Sequence, residues 1–466
     1  RVSRPDGDPV EGAIVMTPTP GFYEWIGAVD INSLYPNTIR SLNLSSEKII
    51  GQLQGLEADW RTFAAGLNGD QTVLSKAVRV LLDGEPEPIE IEISELINLC
   101  KQSNYAISGY GTILDQNTIG LIPSILGYWF NGRKEMQANK KKYAKEADKL
   151  LKEGKAKDNP TVVEAIRLSE LNDLRQGVRK TLLNSTYGAL LSAYMRFGDP
   201  RLGGSTTFTG RQITSHMVNT INDFLGSDKK IVKTVNRIET KKRSGNIEVK
   251  IENEYVVALE NDEAGVIYGD TDSAYFTMRN LVHDGAEAIA LANAIAEAVN
   301  ESFPKFMQTA FNCQPEYDSL IKVNRELVCR TGILQAKKKY MMAVIDKEGK
   351  AISMGDKDEL KTMGSDIKLS STPKPIRAML TDVVMAVLNK TSKSSIDEII
   401  MKFRRDMKAG SSLNLDPLDL ATVNSVNNLE KFQLIWQEIR DTGKKSTIPA
   451  GPHSAINYNA ALKKLN

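Results

Sequence analysis

The sequence has few of the residues that build metal clusters and disulfide frameworks. Its three cysteines, Cys100, Cys313 and Cys329, are widely spaced and form no CxxC pair, and it has only three histidines. These absences argue against a zinc site and favour buried thiols in a reducing compartment. No stretch approaches 18 uncharged apolar residues, so the sequence predicts no membrane span.

An excess of one charge is also lacking. The 60 Lys and Arg residues nearly balance the 58 Asp and Glu residues, which leaves a net charge of +2. Any binding of nucleic acid must therefore come from local basic patches. A hydrophobic fraction of 41% and a charged fraction of 25% are those of an ordinary soluble globular protein. The 466 residues suffice for about three domains.

The segment YGDTDS, residues 268–273, places Asp270 and Asp272 on a tight turn between two apolar runs typical of short strands. Two carboxylates about 4 Å apart repel by roughly 4 kcal/mol at an effective dielectric near 20, and a divalent cation usually offsets that repulsion. From these residues alone, an Asp-rich turn and a DxD sugar-nucleotide transferase stay open. A calcium EF-hand is disfavoured, because its glycine and terminal glutamate are missing.

The segment DINSLYP, residues 30–36, adds a third carboxylate. Residues 21–31, GFYEWIGAVDI, predict a strand that ends near Asp30 and is followed by a sharp turn. Asp30, Asp270 and Asp272 are therefore predicted to converge. Such a cluster can hold two Mg²⁺ ions about 3.5–4 Å apart, which suits in-line phosphoryl transfer. Leu34 and Tyr35 would lie beside the metals, although Tyr35 alone would equally suit an ordinary core.

Two long helices are predicted at 121–157 and at about 161–190, with the hairpin tip at KDNP. On the second helix, a polar and aromatic stripe follows helical spacing and consists of Gln176, Lys180, Asn184 and Tyr187. With Gly188 giving close backbone approach and Arg133 a second cation, the stripe suits a nucleotide. A solvated helix face is the alternative.

The run KKKY, residues 337–340, follows a glycine-containing turn. A short basic run that ends in an aromatic can bind a backbone phosphate and pack against a sugar, although basic runs are usually solvated. Strands are also predicted at 89–94, as an exposed IEIEIS, and around a Ser-Gly-Asn turn near residue 245.

In this order the four segments resemble the motifs of family B DNA polymerases: DINSLYP as motif A, KTLLNSTYG as motif B, YGDTDS as motif C, and KKKY as the KKRY-like motif. GLIPSILGYWFNGRKE, residues 120–135, resembles the entry into the fingers, and GPHSAINYNAAL, residues 451–462, resembles part of the thumb. The resemblance runs from about residue 11 to 462 and is closest to replicative polymerases of tailed bacteriophages.

The resemblance implies an α+β fold, a right-hand polymerase with an antiparallel-sheet palm, a helical-hairpin fingers domain and a mixed, mostly helical thumb. The implied palm is 1–120, with an insert at about 50–115, together with 189–370. The fingers are 121–188, and an incomplete thumb is 371–466. A second insert at about 226–263 carries the basic residues Lys241, Lys242 and Arg243, which would touch DNA or a partner or belong to a solvated hairpin.

The resemblance also implies roles for single residues. Two Mg²⁺ ions, with Mn²⁺ as a substitute, would be held by Asp30, Asp272 and the Ile31 carbonyl, with Asp270 in support. The dNTP would contact Ser33, Leu34, Tyr35, Arg133, Lys180, Asn184 and Tyr187, and Tyr35 would reject the ribose 2′-hydroxyl. The primer–template would contact Gly188, Thr271, Lys337, Lys338, Lys339 and Tyr340. Gln137 stands where the family usually has a second phosphate-binding lysine, so either Lys140 or Lys141 would replace it or the affinity for triphosphate would be lower.

The implied function is a DNA-directed DNA polymerase core that adds dNTPs to a primer. The implied partners are primer–template DNA, a sliding clamp and an exonuclease-bearing N-terminal portion on the same or a separate chain. No exonuclease is expected in this chain, and the expected location is the cytoplasm, that of the host for a phage protein. A catalytically inactive scaffold would have lost Asp30, Asp272 or Lys180. A primase-like enzyme is disfavoured by Tyr35, and a sugar-nucleotide transferase explains neither KTLLNSTYG nor KKKY.

Overall fold

The computed structural model describes residues 12–192, 194–241, 247–257, 259, 263–351, 358–369, 371–409, 437–438 and 440–443. The predicted thumb segment at 451–462 and the basic residues Lys242 and Arg243 lie outside the described residues. The described chain combines antiparallel sheets with long helices, which confirms the α+β class.

The strands in chain order are β1 (Gly21–Ile31), β2 (Ile49–Leu53), β3 (Ala77–Leu82), β4 (Ile89–Glu92), β5 (Tyr105–Ile107), β6 (Thr112–Asp115), β7 (Val232–Lys241), β8 (Ile247–Val256), β9 (Gly265–Asp270), β10 (Ser273–Thr277), β11 (Val323–Ala336), β12 (Lys339–Lys347), β13 (Lys350–Ala351) and β14 (Glu359–Met363). The α-helices are α1 (Leu34–Ser41), α2 (Glu57–Leu67), α3 (Ile93–Ser103), α4 (Leu121–Lys152), α5 (Pro160–Leu191), α6 (Pro200–Phe224), α7 (Gly285–Phe311), α8 (Pro315–Asp318), α9 (Lys374–Leu388) and α10 (Lys393–Ala409).

A seven-stranded antiparallel sheet forms the centre of the molecule. Its order is β13-β12-β11-β1-β10-β9, with β14 also paired to β12. The predicted strand at 21–31 is confirmed as β1, which lies between β10 and β11. Ile26, Ala28 and Val29 of β1 have no solvent exposure, because α6 and α7 pack against the sheet and against each other. The sheet therefore holds the end of β1, and Asp30 with it, in a rigid frame.

A second sheet, in the order β4-β3-β2-β6-β5, occupies the region predicted as an insert. Helices α2 and α3 pack beside each other in the same segment. The predicted strand at 89–94 is too long, because β4 ends at Glu92 and Ile93 begins α3. Ile93 is fully buried, so tertiary packing overrides the local alternation at this position.

Helices α4 and α5 form the predicted antiparallel hairpin and pack along each other. Helix α5 starts at Pro160, in agreement with the prediction that a proline suits a helix start, and the Asn159 side chain caps it by accepting from the Thr161 backbone N–H at 3.1 Å. The first helix ends at Lys152 instead of 157, since Gly154 adopts a left-handed φ of 86°.

The remaining described elements lie beyond the two sheets and the hairpin. Strands β7 and β8 pair as a two-stranded ribbon, which confirms the predicted strands on either side of residue 245. Helices α9 and α10 contact each other, and α9 also contacts β11 and β12. Among the residues described, no helix is long and apolar enough to cross a membrane.

Candidate active site

Two carboxylates meet where β1 and the β9–β10 hairpin end. Asp30 lies opposite Ser273 in the pairing of β1 with β10, and the Ile31 backbone N–H donates to the Asp272 carbonyl at 2.7 Å. Burial, together with the charges of Asp272 and Glu326, raises the pKa of Asp30 to about 7. Burial also raises the pKa of Asp272. The strand pairing thus holds two like charges together in a partly desolvated place.

The turn that carries Asp272 is fixed by backbone hydrogen bonds. Thr271 adopts a left-handed φ of 61°, and the Asp272 N–H donates to the Asp270 carbonyl at 2.7 Å. The Thr271 N–H donates to the Ile14 carbonyl at 2.8 Å, and the Thr214 hydroxyl donates to the Thr271 carbonyl at 2.7 Å. A non-glycine residue in this region costs free energy, and the surrounding contacts offset that cost. These hydrogen bonds therefore hold the turn, and Asp272 with it, in one rigid conformation.

Asp270 makes different contacts from its neighbour. Its carboxylate lies 3.1 Å from the Lys338 ammonium and accepts from the Tyr268 hydroxyl at 3.3 Å. The Lys338 backbone N–H donates to the same hydroxyl at 3.1 Å. Asp270 thus ties the β9–β10 turn to the β11–β12 turn.

Three converging carboxylates were expected. The structure places Asp30 and Asp272 on adjoining strand ends, and the Asp270 charge raises the pKa of Asp272 although the Asp270 carboxylate pairs with Lys338. Within the described part of the chain there is no group of three or more His, Cys, Asp or Glu side chains arranged to hold a metal ion. The donor chemistry of Asp30 and Asp272 nevertheless fits a hard divalent cation, since both are carboxylates whose pKa is raised by burial and by nearby negative charge. A cation between them would relieve that repulsion.

Glu326 is a fourth acid at this site, and the sequence reasoning missed it. It lies on β11 at the register shift opposite Ala28 and Val29, and its charge raises the pKa of both Asp30 and Asp272. Its carboxylate pairs with Lys361 of β14 at 2.7 Å. Only the register of β11 on β1 brings it there, so no local motif in the sequence could have revealed it.

Tyr35 lies in the first turn of α1 and contacts α5 and α6. Its ring centroid is 4.7 Å from that of Tyr187, with the planes tilted by 46°. Gly210 of α6 leaves room for the ring, because a Cβ there would lie 3.2 Å from Tyr35 Cε1. Ser33, before the helix, has a left-handed φ of 50°, whereas the Leu34 side chain belongs to the buried core. Tyr35 and Tyr187 thus form one aromatic surface near Asp272. Burial raises the pKa of Tyr35 above its ordinary value, and the Asp272 charge raises it further.

The helical hairpin presents the predicted polar stripe. Lys180 and Asn184 are exposed. The Lys180 charge acts to lower the pKa of both Asp30 and Asp272, which opposes the effect of burial. Arg133 Nε donates to the Gln176 side-chain carbonyl at 3.4 Å, and burial lowers the Arg133 pKa. A Cβ on Gly188 would meet no atom within 4 Å, so this stretch of backbone is open to a ligand.

The predicted basic turn joins β11 to β12. Lys337, Lys338 and Lys339 are exposed, and Lys338 has a left-handed φ of 57°. Tyr340, in contrast, is 4% exposed, and its hydroxyl lies 3.2 Å from that of Tyr275. Lys337 and Lys339 are available to a phosphate backbone and Lys338 pairs with Asp270, whereas Tyr340 is mainly a packing residue that holds the turn.

Two cavities lie between the hairpin and the sheet, and the smaller one is lined by Asp30. A cleft of about 940 Å³ separates α4 and α5 from α1 and the β11–β13 edge of the sheet. A second cavity of about 470 Å³ contains Asp30, Asn324 and Glu326. Lys141 lines both. Asp30 therefore lies beside an open space that the hairpin borders at Lys141.

Comparison with known proteins assigns the family. The model of DNA polymerase family B matches residues 2–433, so the chain belongs to this family. It is 24% identical to the DNA-directed DNA polymerase of Enterobacteria phage T4, over 90% of this chain and 44% of that one. It is 25% identical to the enzyme of the same name from Escherichia phage RB69, over 91% of this chain and 45% of the relative. The DNA polymerase delta catalytic subunit of Schizosaccharomyces pombe is 25% identical over 65% of this chain. The chain thus spans less than half the length of the two phage enzymes.

Proposed function

We propose that this chain is the core of a DNA-directed DNA polymerase with a right-hand arrangement. In this assignment the seven-stranded sheet with α6 and α7 is the palm, and the α4–α5 hairpin is the fingers. Residues 371–466 contribute to the thumb, and the β2–β6 sheet is an insert in the palm. Membership of DNA polymerase family B supports the assignment.

The single observation that carries the proposal is the charge arrangement at the end of β1. Asp30 and Asp272 lie together in a partly buried place, and Lys180 of the hairpin is close enough to lower the pKa of both. A negative site on the sheet therefore faces a positive one on the hairpin. A dNTP–metal complex has matching charges, because the cations bind the carboxylates and the phosphate tail binds the lysine.

In the proposed reaction, the primer 3′-hydroxyl attacks the α-phosphate of a dNTP and pyrophosphate leaves. Two Mg²⁺ ions would be held by Asp30, Asp272 and the Ile31 carbonyl. They would make the primer 3′-hydroxyl more acidic and compensate the charge of the leaving group. Lys180 and Arg133 bind the phosphate tail, and Asn184 adds polar contact. Asp270 supports the site through Lys338, by keeping the turn that carries Asp272 in place.

Selection of deoxyribose is assigned to Tyr35. Its ring is held by Tyr187 and by contact with α6 at Gly210, so a 2′-hydroxyl that met the ring could not be accommodated by a small shift. Ser33 and Leu34 would contribute backbone groups to the nucleotide, since the side chain of Leu34 is buried.

Primer–template DNA would lie across the basic turn. Lys337 and Lys339 are exposed and would bind backbone phosphates without reading sequence. Lys338 and Tyr340 position that turn, and Thr271 and Gly188 would contact the DNA through exposed backbone or small side chains. The exonuclease-bearing portion and the sliding clamp stay predictions.

Primer extension with Mg²⁺ tests the proposal. The parent chain should extend a primed template with dNTPs and discriminate against rNTPs, and Tyr35→Ala should weaken that discrimination. Asp272→Asn should bind the DNA normally but fail to extend it. Tight primer–template binding by the parent without any extension would instead favour the inactive-scaffold alternative.

A further inference from the structure

The proposed reaction leaves Glu326 of β11 unused, although this residue borders the space next to the catalytic carboxylates. It lines the cavity of about 470 Å³ together with Asp30. It also lines another cavity, of about 160 Å³, together with Lys361 of β14. Glu326 is therefore in a position to transmit a change at β14 to the carboxylate pair.

Lys361 makes two contacts that cross the sheet. Its ammonium lies 2.7 Å from the Glu326 carboxylate and donates to the Tyr275 hydroxyl at 3.2 Å. Tyr275 belongs to β10, and in the sheet order β12, β11 and β1 separate that strand from β14. The sheet therefore curls enough to bring a lysine of its edge to the strand that follows Asp272. The Tyr275 hydroxyl also lies 3.2 Å from that of Tyr340, so the partner of the lysine is itself held in place.

The ion pair is suited to an electrostatic role more than to a stabilising one. The Lys361 and Glu326 side chains are 26% and 29% exposed, and pairs that water can reach contribute little to folding. Their charges nevertheless act on Asp30. After burial and the Asp272 charge, Glu326 raises the pKa of Asp30, whereas Lys361 lowers it. Lys361 thus opposes the effect that Glu326 has on the catalytic carboxylate.

We propose that Lys361 is a positioning residue, which holds Glu326 in an ion pair and so sets the affinity with which Asp30 and Asp272 bind divalent cations. The inference rests on the proposed function and deepens it with a residue outside the four sequence motifs. Without Lys361, a further negative charge would act both on the cations and on the anionic dNTP. Because these ligands have opposite charges, cation affinity should rise while dNTP affinity falls.

A titration of the full chain with Mn²⁺, followed by the paramagnetic resonance signal of the free ion, needs no polymerase activity. Lys361→Met should bind Mn²⁺ about fivefold more tightly than the parent, and Glu326→Gln about fivefold more weakly. The double variant has a neutral pair again and should lie within about twofold of the parent. A merely structural role would weaken binding in both single variants and would not restore it in the double variant.

Two further variants separate the ion pair from the general charge of the region. Lys361→Arg keeps the charge and should stay within about twofold of the parent. Lys347 is exposed and lines the same 160 Å³ cavity, but it has no ion-pair partner within the described part of the chain. Lys347→Met should therefore shift the Mn²⁺ affinity by less than about twofold. Equal shifts in Lys347→Met and Lys361→Met, or shifts of the same sign in Lys361→Met and Glu326→Gln, would overturn the inference.

Single-nucleotide incorporation at saturating Mg²⁺ measures the effect on the anion. Lys361→Met should raise the KM for dNTP about fivefold and change kcat by less than about twofold. An unchanged KM in this variant would overturn the inference even if the chain extends primers. Opposite shifts of Mn²⁺ affinity in the two single variants of a chain that does not extend primers would support the positioning role and contradict the proposed polymerase function.

Discussion

The seven-stranded sheet and the α4–α5 hairpin carry complementary halves of the proposed site and are built in opposite ways. Every residue of β10 and all but the last of β9 are buried. The two hairpin helices have 32 residues each, and their buried residues are Ile122, Pro123, Leu126, Ala147, Val162, Ala165, Asn172, Leu183 and Leu190. The carboxylates thus lie on a well-packed sheet, whereas the cations lie on a hairpin that buries few residues.

This difference has a functional meaning. An element with few buried contacts opens at low free-energy cost, whereas a packed sheet opens only with the whole fold. Residues that must hold two like charges in fixed geometry belong on the sheet, and residues that admit and release a nucleotide belong on the hairpin. Perturbing each region should therefore affect different quantities.

The largest expected contrast is in stability. Phe276 of β10 is fully buried and packs over Gly27, so Phe276→Ala should lower the free energy of unfolding by about 3–5 kcal/mol. Leu174 of α5 is 71% exposed, and Leu174→Ala should change the free energy of unfolding by no more than about 0.5 kcal/mol. Denaturant unfolding of both variants measures the difference. Comparable losses would contradict the contrast between packed sheet and open hairpin.

The second contrast is in catalysis. Lys180→Ala should lower kcat/KM for dNTP incorporation by about 100-fold, because it removes a cation beside the transferred phosphates, and it should leave thermal stability unchanged. Arg175→Ala, which removes another exposed cation of α5, is the control. Equal effects of the two substitutions on steady-state kinetics would mean that only the overall charge of the hairpin matters.

The smallest expected effect is a dependence of folding stability on pH, caused by one partly buried histidine of α6, which packs against the sheet. His216 of α6 stacks on Phe306 at 4.1 Å and lies 2.9 Å from the Ser302 hydroxyl. Burial lowers its pKa from 6.5 to about 4, with Asp223 acting in the opposite direction. The unfolded state therefore binds a proton that the folded state does not, and stability falls as pH drops from about 7 towards 4.

This histidine should contribute a loss of about 2 kcal/mol between pH 8 and pH 5. The measurement is urea unfolding of the parent and His216→Phe at both pH values. Other groups titrate in this range too, so the difference between the two proteins is the relevant quantity. An equal loss of stability in both proteins on acidification would show that His216 is not responsible.

Sequence reasoning predicted local features better than contacts between distant residues. The start of α5 at Pro160 and the bounds of β1 follow from local chemistry, and both are confirmed. The boundary between β4 and α3 was wrong by two residues, because burial of Ile93 outweighs the strand pattern. The order of the strands in the sheets was not predictable from local propensity at all.

The candidate site shows the same limit. The motifs correctly indicated that Asp30 and Asp272 would meet, but Glu326 enters only through the register of β11 on β1. Such contacts depend on tertiary packing that short motifs do not encode.

The central claim is that Asp30 and Asp272, and not Asp270, are the two indispensable carboxylates. Its most direct test is the single-turnover rate of nucleotide incorporation by the three Asp→Asn variants on the same primed template. Asp30→Asn and Asp272→Asn should each lose on the order of 1000-fold, whereas Asp270→Asn should lose no more than about tenfold, because Asp270 acts through Lys338. An Asp272→Asn enzyme within tenfold of the parent rate, or equal losses in all three variants, would contradict it.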